Sequence, residues 1–167
     1  SVMGDQMLIR LRDNWQPDNE EFKAGSLLAC KVTDLLKNKS KANFLSLFEP
    51  TDRCSLEGWT TTKNYLVLSL LDNVKTRLKM WRWLPEESRG DGPAWKDEGA
   101  EEGAQIVTKS VWAVDSDEDD QVWVSTSGYL QPSNLGIQDL SKGLAAPVQV
   151  LKTLPAQFES EGLVAKQ

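Results

Sequence analysis

A repeated pattern of short apolar runs constrains the fold of this chain more than any other feature. Runs that begin at Met7 (MLIRLRDN), Tyr65 (YLVLSLLDN) and Val122 (VWVSTSG) lie 58 and 57 residues apart. Each combines aliphatic or β-branched residues and ends in polar turn formers, which is typical of a β-strand. A fixed period in a chain of strands predicts a series of equivalent supersecondary units.

Further apolar runs complete each unit. Second runs begin at residues 26, 76 and 134, and third runs at residues 43, 94 and 148. The second and third units are each preceded by another run, which begins at Leu56 or Lys109 and contains Trp59 or Trp112. Four strands in about 50 to 57 residues match the length of a propeller blade.

The sequence therefore predicts an all-β fold, a partial β-propeller of about three consecutive four-stranded antiparallel blades. The expected blades span residues 1–52, 53–104 and 105–154, and residues 155–167 are expected to form a linker. The first blade is expected to lack its innermost strand, which would lie before Ser1. Helix is expected in less than about a tenth of the chain, and the single candidate is 33–37, with Thr33 as its N-cap.

Composition and charge exclude two classes of partner. The chain of 167 residues is 40% hydrophobic and has a formal net charge of −6. An acidic surface repels phosphate backbones, so no nucleic acid is expected to bind, and the basic cluster 37–41 is interpreted as a solvated turn. No apolar run approaches the roughly 18 residues of a membrane span, and no signal peptide is recognisable. A soluble protein is expected, cytoplasmic or periplasmic.

The two cysteines do not form a disulfide framework. Cys30 lies in the apolar run SLLACKV and is expected to be a buried small hydrophobe. A bridge to Cys54 is the less favoured alternative.

Catalytic signatures are missing from the sequence. The chain has no histidine, which removes Ser-His and Cys-His nucleophile pairs. No G-x-S-x-G elbow is present; the nearest segment, EESRG at 86–90, is interpreted as a loop. We therefore predict no catalytic, cofactor-binding or metal-binding residues and no cofactor, so this chain alone is not expected to be an enzyme.

Acidic and aromatic clusters are better explained by structure than by chemistry. Asp115, Asp117 and Asp119 alternate as in a calcium loop, but Asp120 and Thr126 stand where that loop needs Gly and Glu, so a solvated hairpin is favoured. Glu101-Glu102 lies among small residues and indicates a flexible surface. The tryptophans Trp59, Trp81, Trp83 and Trp112 are interpreted as packing between units, with a carbohydrate- or peptide-stacking surface as the alternative.

Several motifs resemble one enzyme family. They are SLEGW at 55–59 followed by NYLVLSLLDNVK at 64–75, STSGYLQPS at 125–133, and LKTLPAQF at 151–158 followed by GLV at 162–164. In this order they are similar to the late propeller of prolyl oligopeptidases. The loops at 15–25 and 84–95 look long for that family and could serve a role specific to this relative.

The resemblance implies a seven-bladed propeller that restricts access to an α/β-hydrolase domain, so that only short peptides reach a Ser-Asp-His triad and are cleaved after proline. That triad would lie on a hydrolase domain after Gln167. The implied partners are the hydrolase domain of the same parent chain and its short peptide substrates. The isolated chain is expected to self-associate as a dimer.

Two other interpretations remain open on the sequence. One is a stand-alone propeller-like protein without enzymatic activity that acts as an interaction module. The other is a small β-domain that binds carbohydrate through its tryptophans. A following segment with a nucleophile elbow and a later histidine would favour the peptidase.

Overall fold

The computed structural model describes residues 1–101 and 107–155. Twelve strands lie in this part of the chain and form three four-stranded antiparallel sheets, with strand orders β1-β2-β3-β4, β5-β6-β7-β8 and β12-β11-β10-β9. The chain divides into two compact units, Ser1–Leu56 with Leu84–Lys96 and Glu57–Trp83 with Asp97–Gln167. The prediction of an all-β chain of three four-stranded sheets is confirmed.

The first sheet is built from short strands and carries the longest described helix. Its strands are β1 (Val2–Met3), β2 (Gln6–Arg10), β3 (Leu27–Lys31) and β4 (Leu45–Phe48). Helix α1 (Val32–Asn38) and a 3₁₀ turn (Lys39–Lys41) connect β3 to β4. Leu27, Leu28, Ala29 and Cys30 are all buried, so β3 is covered on both faces.

Two expectations for the first sheet are corrected. The strand expected to be missing is represented by the two residues of β1, which pair with Met7 and Gln6 of β2; two residues give too little periodicity to be recognised in a sequence. Helix α1 begins at Val32 with Lys31 as its N-cap, and no side chain caps it. Thr33 lies inside the helix rather than at its cap.

The second sheet has the longest strands. They are β5 (Cys54–Thr61), β6 (Tyr65–Asp72), β7 (Lys75–Trp83) and β8 (Trp95–Ala100). Strands β6 and β7 pair without interruption from Tyr65↔Arg82 to Asp72↔Lys75. Asn73 takes φ of 57° in the two-residue turn between them, a conformation that asparagine tolerates better than most residues. A short helix, α2 (Glu86–Arg89), follows β7.

The third sheet contains β9 (Thr108–Ala113), β10 (Gln121–Ser127), β11 (Asn134–Asp139) and β12 (Gln149–Thr153). The register of β11 against β12 shifts between Leu135 and Gly136. A Cβ atom at Gly136 would lie 2.7 Å from the Gln149 carbonyl oxygen and 2.5 Å from a Val148 methyl group. Only glycine therefore fits at this irregularity.

One apolar cluster joins the second and third sheets within the second unit. Val67, Leu78 and Met80 from β6 and β7 pack with Val122 and Val124 of β10. Tyr65 and Leu140 complete the buried cluster. Leu140 begins the 3₁₀ turn Leu140–Lys142, which follows β11. The alternating residues of facing strands thus form a sheet-on-sheet core.

The same backbone bond recurs at one end of all three sheets. Asp5, Asn64 and Asp120 each directly precede the second strand of their sheet. Their carbonyl oxygens accept bonds from the N–H groups of Val32, Trp83 and Leu140, at 2.8–3.0 Å, at the end of the third strand. The sequence repeat is therefore accompanied by a backbone hydrogen bond that recurs at the same place in each sheet.

Two sequence expectations fall outside the described part of the chain. They are the blade boundary near residues 104–105 and residues 156–167 of the expected linker.

Candidate functional site

The loop between β2 and β3 is an ordered extension of their hairpin. The backbones of Trp15 and Phe22 exchange two hydrogen bonds of 2.8 Å, and Leu11 bonds to Ser26 and Gly25. The Asn14 side chain accepts the Ala24 N–H at 2.8 Å. These bonds hold the loop as a two-stranded finger.

Three aromatic rings gather around this finger. The Trp15 ring lies 4.9 Å from that of Phe44 in an edge-to-face arrangement and 6.2 Å from that of Phe22 in a stacked one. Phe22 and Phe44 are 6.4 Å apart at a steep angle. Both geometries are favourable for aromatic quadrupoles. The rings therefore bring the finger together with the segment that leads into β4.

A cavity of about 600 Å³ opens beside this aromatic cluster. Its volume is in the range of small-molecule binding pockets. It lies between the end of β2, the finger, helix α1 and the 3₁₀ turn. The lining residues are Ile9, Arg10, Leu11, Arg12, Asp13, Asn14, Trp15, Leu35, Lys39, Ser40 and Phe44.

The far wall of the cavity is held by Asp34 of α1. Its carboxylate accepts the Asn43 backbone N–H at 2.8 Å and a side-chain N–H of Asn38. The bond from the Asn43 backbone and then that from Asn38 lower the pKa of Asp34 below its ordinary value. The carboxylate thus ties the helix to the segment that supplies Phe44.

The cavity was not predicted from the sequence, although two signals pointed to its walls. The loop at 15–25 looked long, and it forms the finger. The cluster 37–41 was interpreted as a solvated turn; Lys39 is exposed, with φ of 51°, but it also lines the cavity. The contact between Trp15 and Phe44 joins residues too far apart for a local pattern to reveal.

The acidic segment 115–120 is a hairpin connection whose carboxylates cap their own loop. Asp115 accepts the N–H groups of Asp117 and Glu118, and Asp119 accepts that of Gln121. Asp120 differs from the solvated side chain that was expected. Its carboxylate accepts the Thr62 hydroxyl and the Asn64 backbone N–H at 2.8 Å, and the Asn64 side-chain N–H at 2.7 Å.

The segment 86–90 is a helical turn rather than the predicted loop. Arg89 of α2 donates to both oxygens of the Asp5 carboxylate, the shorter contact being 2.7 Å, and also to the Leu84 carbonyl. Its side chain is only 7% exposed. This segment therefore forms a buried ion pair, and Ser88 has no histidine to activate it because the sequence contains none.

The acidic, tryptophan and cysteine residues singled out in the sequence differ in their exposure and in their contacts. Glu101 is not on a flexible surface: both of its carboxylate oxygens lie 2.9 Å from the Lys109 ammonium, while Glu102 lies outside the described residues. Trp112 is 44% exposed rather than packed between units, whereas Trp95 is buried. Both cysteines are free, and burial raises the pKa of the Cys30 thiol.

Residues 1–101 and 107–155 hold no group of three or more metal-ligating side chains. No helix in those ranges is long and apolar enough to cross a membrane. The cavity beside Trp15 is a candidate binding site in the described part of the chain.

Comparisons with known proteins relate the whole chain to peptidases. No family model matches it. It is 30% identical over 163 residues to the uncharacterized peptidase y4nA of Sinorhizobium fredii. The aligned region covers 97% of this chain and 21% of that relative. It is 41% identical over 69 residues to the uncharacterized peptidase RP174 of Rickettsia prowazekii, over 41% of this chain and 10% of the relative.

A solved structure shares the fold. A post-proline cleaving enzyme from Rickettsia typhi superposes with a TM-score of 0.76 at 22% identity, over 96% of this chain and 22% of that protein. The chain thus spans about a fifth of the length of y4nA and of this enzyme. Together with the motifs at 55–75, 125–133 and 151–164, these matches identify the chain as a segment related to peptidases of the prolyl oligopeptidase family.

Proposed function

We propose that the chain is the non-catalytic propeller segment of a prolyl oligopeptidase-like serine peptidase that cleaves short peptides after proline. The observation that carries the proposal is the relationship along nearly the whole chain to a peptidase at 30% identity. Three successive four-stranded sheets are consistent with neighbouring propeller blades. In this proposal the sheets restrict access to a catalytic domain elsewhere in the parent, and the chain itself supplies no triad residue.

The test compares this chain with its parent protein on a chromogenic peptide that contains proline. The parent should cleave the peptide and lose activity when the serine of its nucleophile elbow is replaced by alanine. The isolated chain should show no turnover, because it has no histidine to activate a nucleophile. A parent without any post-proline cleavage would overturn the proposal, as would turnover that follows the isolated chain through successive purification steps.

Self-association of the isolated chain forms a second part of the proposal. Strand β12 leaves Val150 and Leu151 exposed, and Trp112 is exposed on β9 at the opposite edge of the same sheet. Exposed apolar surface favours association, and a two-fold dimer is the commonest closed arrangement. We expect a dimer that buries on the order of 1,500 Å² in total. Light scattering at micromolar concentration tests this, and a strictly monomeric chain would contradict it.

A further inference from the structure

The cavity beside the β2–β3 finger has an apolar interior. Ile9, Leu11, Trp15 and Phe44 contribute half-buried side chains to its lining. Trp15 and Phe44 are fixed edge to face, with the Phe22 ring behind Trp15. A small apolar group that enters the cavity therefore meets rigid aromatic surfaces, which lose little conformational entropy on binding.

Most charged side chains at the cavity are positive, whereas the net charge of the protein is negative. Three cations, Arg10, Arg12 and Lys39, line it with a single carboxylate, Asp13, although the chain has a net charge of −6. Arg10 donates to the Leu56 carbonyl at 2.7 Å. Among the residues that the structure describes, none forms an ion pair or side-chain hydrogen bond with Arg12 or Lys39. Two cations are thus free to bind an anion.

We propose that this cavity binds a small apolar carboxylate, either the carboxyl end of a peptide with an aromatic last residue or a free aryl acid. The apolar group would occupy the space beside Trp15 and Phe44, and the carboxylate would bind Arg12 and Lys39. Charge-assisted bonds of this kind are stronger than neutral ones, so the negative charge distinguishes such a ligand from other apolar molecules. The proposal does not depend on the proposed function.

The experiment uses the full 167-residue chain with isotope-labelled tryptophan. The Trp15 indole resonance, assigned with Trp15→Phe, is followed by NMR during titration with phenylpropionate, phenylpropionamide, N-acetyl-Gly-Phe or its C-terminal amide. We expect both carboxylates to bind with a Kd of about 0.1–1 mM. The two amides should bind at least about tenfold more weakly. The carboxylate with the lower Kd identifies the source of the ligand: N-acetyl-Gly-Phe stands for the carboxyl end of a peptide, and phenylpropionate for a free aryl acid.

Charge-reversal variants test the assigned cations. Arg12→Glu and Lys39→Glu should each weaken carboxylate binding about tenfold or more, and both side chains are exposed, so the fold should be retained. Arg53→Glu changes the same charge at an exposed residue outside the cavity and should leave binding unchanged. Absence of binding, equal binding of acids and amides, or an equal loss in Arg53→Glu would overturn the proposal, and equal binding would instead assign the cavity to an apolar packing partner.

Discussion

The first sheet and the pair formed by the second and third sheets use the same repeat in different ways. In the second unit, long strands pack face to face and build the apolar Tyr65 to Leu140 cluster. In the first unit the strands have two to five residues, and the connections form a finger, a helix and a cavity. Both units have buried strands, and in the first unit the loops add a candidate binding site.

The difference follows from where apolar residues occur. In β6, the four residues Tyr65 to Leu68 are all buried, so the strand needs cover on both of its faces. In the first unit, much of the apolar and aromatic surface lies outside strands, at Trp15, Phe22 and Phe44. Polar contacts such as Asp5–Arg89 then hold connections that have no extensive apolar core of their own. The two units should therefore respond differently to loss of apolar and of polar contacts.

The largest expected effect is loss of core packing in the second unit. Leu140 is 1% exposed within the apolar cluster, so Leu140→Ala removes buried methyl groups and leaves a cavity. We expect a loss of about 2–5 kcal/mol in the free energy of unfolding, measured by urea denaturation. The matched variant Leu36→Ala, at a residue that is 75% exposed in α1, should change stability by less than about 0.5 kcal/mol. Similar losses in both variants would contradict this account of the core.

The next largest effect should come from the ion pair in the first unit. Arg89→Met keeps the length of the side chain but leaves the Asp5 carboxylate and the Leu84 carbonyl without this donor. Breaking a fully buried pair costs about 3–5 kcal/mol; because Asp5 is partly exposed, we expect a loss of about 2–3 kcal/mol. Equilibrium denaturation measures the change.

A matched control separates burial from charge in this prediction. Lys31→Met removes the exposed ion pair of Lys31 with Glu86, which spans 2.8 Å, and should cost less than about 1 kcal/mol. Adding Asp5→Asn to Arg89→Met should restore part of the lost stability, because the carboxylate charge that has lost its Arg89 donor is then removed. If Lys31→Met and Arg89→Met cost the same, burial of the Arg89 pair contributes nothing.

Asp120 tests whether a polar contact also matters between the second and third sheets. Asp120→Ala removes the carboxylate that accepts from the Thr62 hydroxyl and from the backbone N–H of Asn64, and we expect a loss of about 1–3 kcal/mol in the free energy of unfolding. Asp117→Ala, in the same hairpin, removes an exposed carboxylate that makes none of these bonds and should be close to neutral. Thermal unfolding of the two variants decides between a structural and a merely solvated role for Asp120.

The sequence predicted most strands because each is a local apolar pattern. The runs that begin near Met7, Tyr65 and Val122 correspond to β2, β6 and β10, within one residue at their starts. The single helix candidate at 33–37 lies within α1. Strand β1 and helix α2 were missed, since two and four residues are too short to show a period.

The cavity and the ion pairs depend on contacts between distant parts of the chain. Asp5 and Arg89 are 84 residues apart, and the aromatic cluster needs the finger to meet the segment before β4. In the sequence alone, Arg12, Lys39 and Asp120 look like ordinary charged residues of polar loops. Their roles follow from the tertiary structure and not from their residue type.

The smallest expected effect concerns pH and the helical wall of the cavity. Asp34 has a pKa lowered by hydrogen bonds from Asn43 and Asn38, so its ionised form is favoured in the folded state. A lowered folded pKa stabilises this connection above the ordinary aspartate value of about 3.9, and the contribution is lost as the pH falls through the folded pKa.

Amide hydrogen exchange and chemical shifts of Asn43 should therefore report local loosening below about pH 4, while the Tyr65 to Leu140 cluster stays intact in the same pH range. Asp34→Asn cannot titrate and should give an Asn43 resonance that does not respond to pH in that range. An Asn43 signal that shifts equally in both proteins would mean that another group controls the wall of the cavity. A transition that also loosens the Tyr65 to Leu140 cluster would mean that protonation of Asp34 does not act locally at the wall of the cavity.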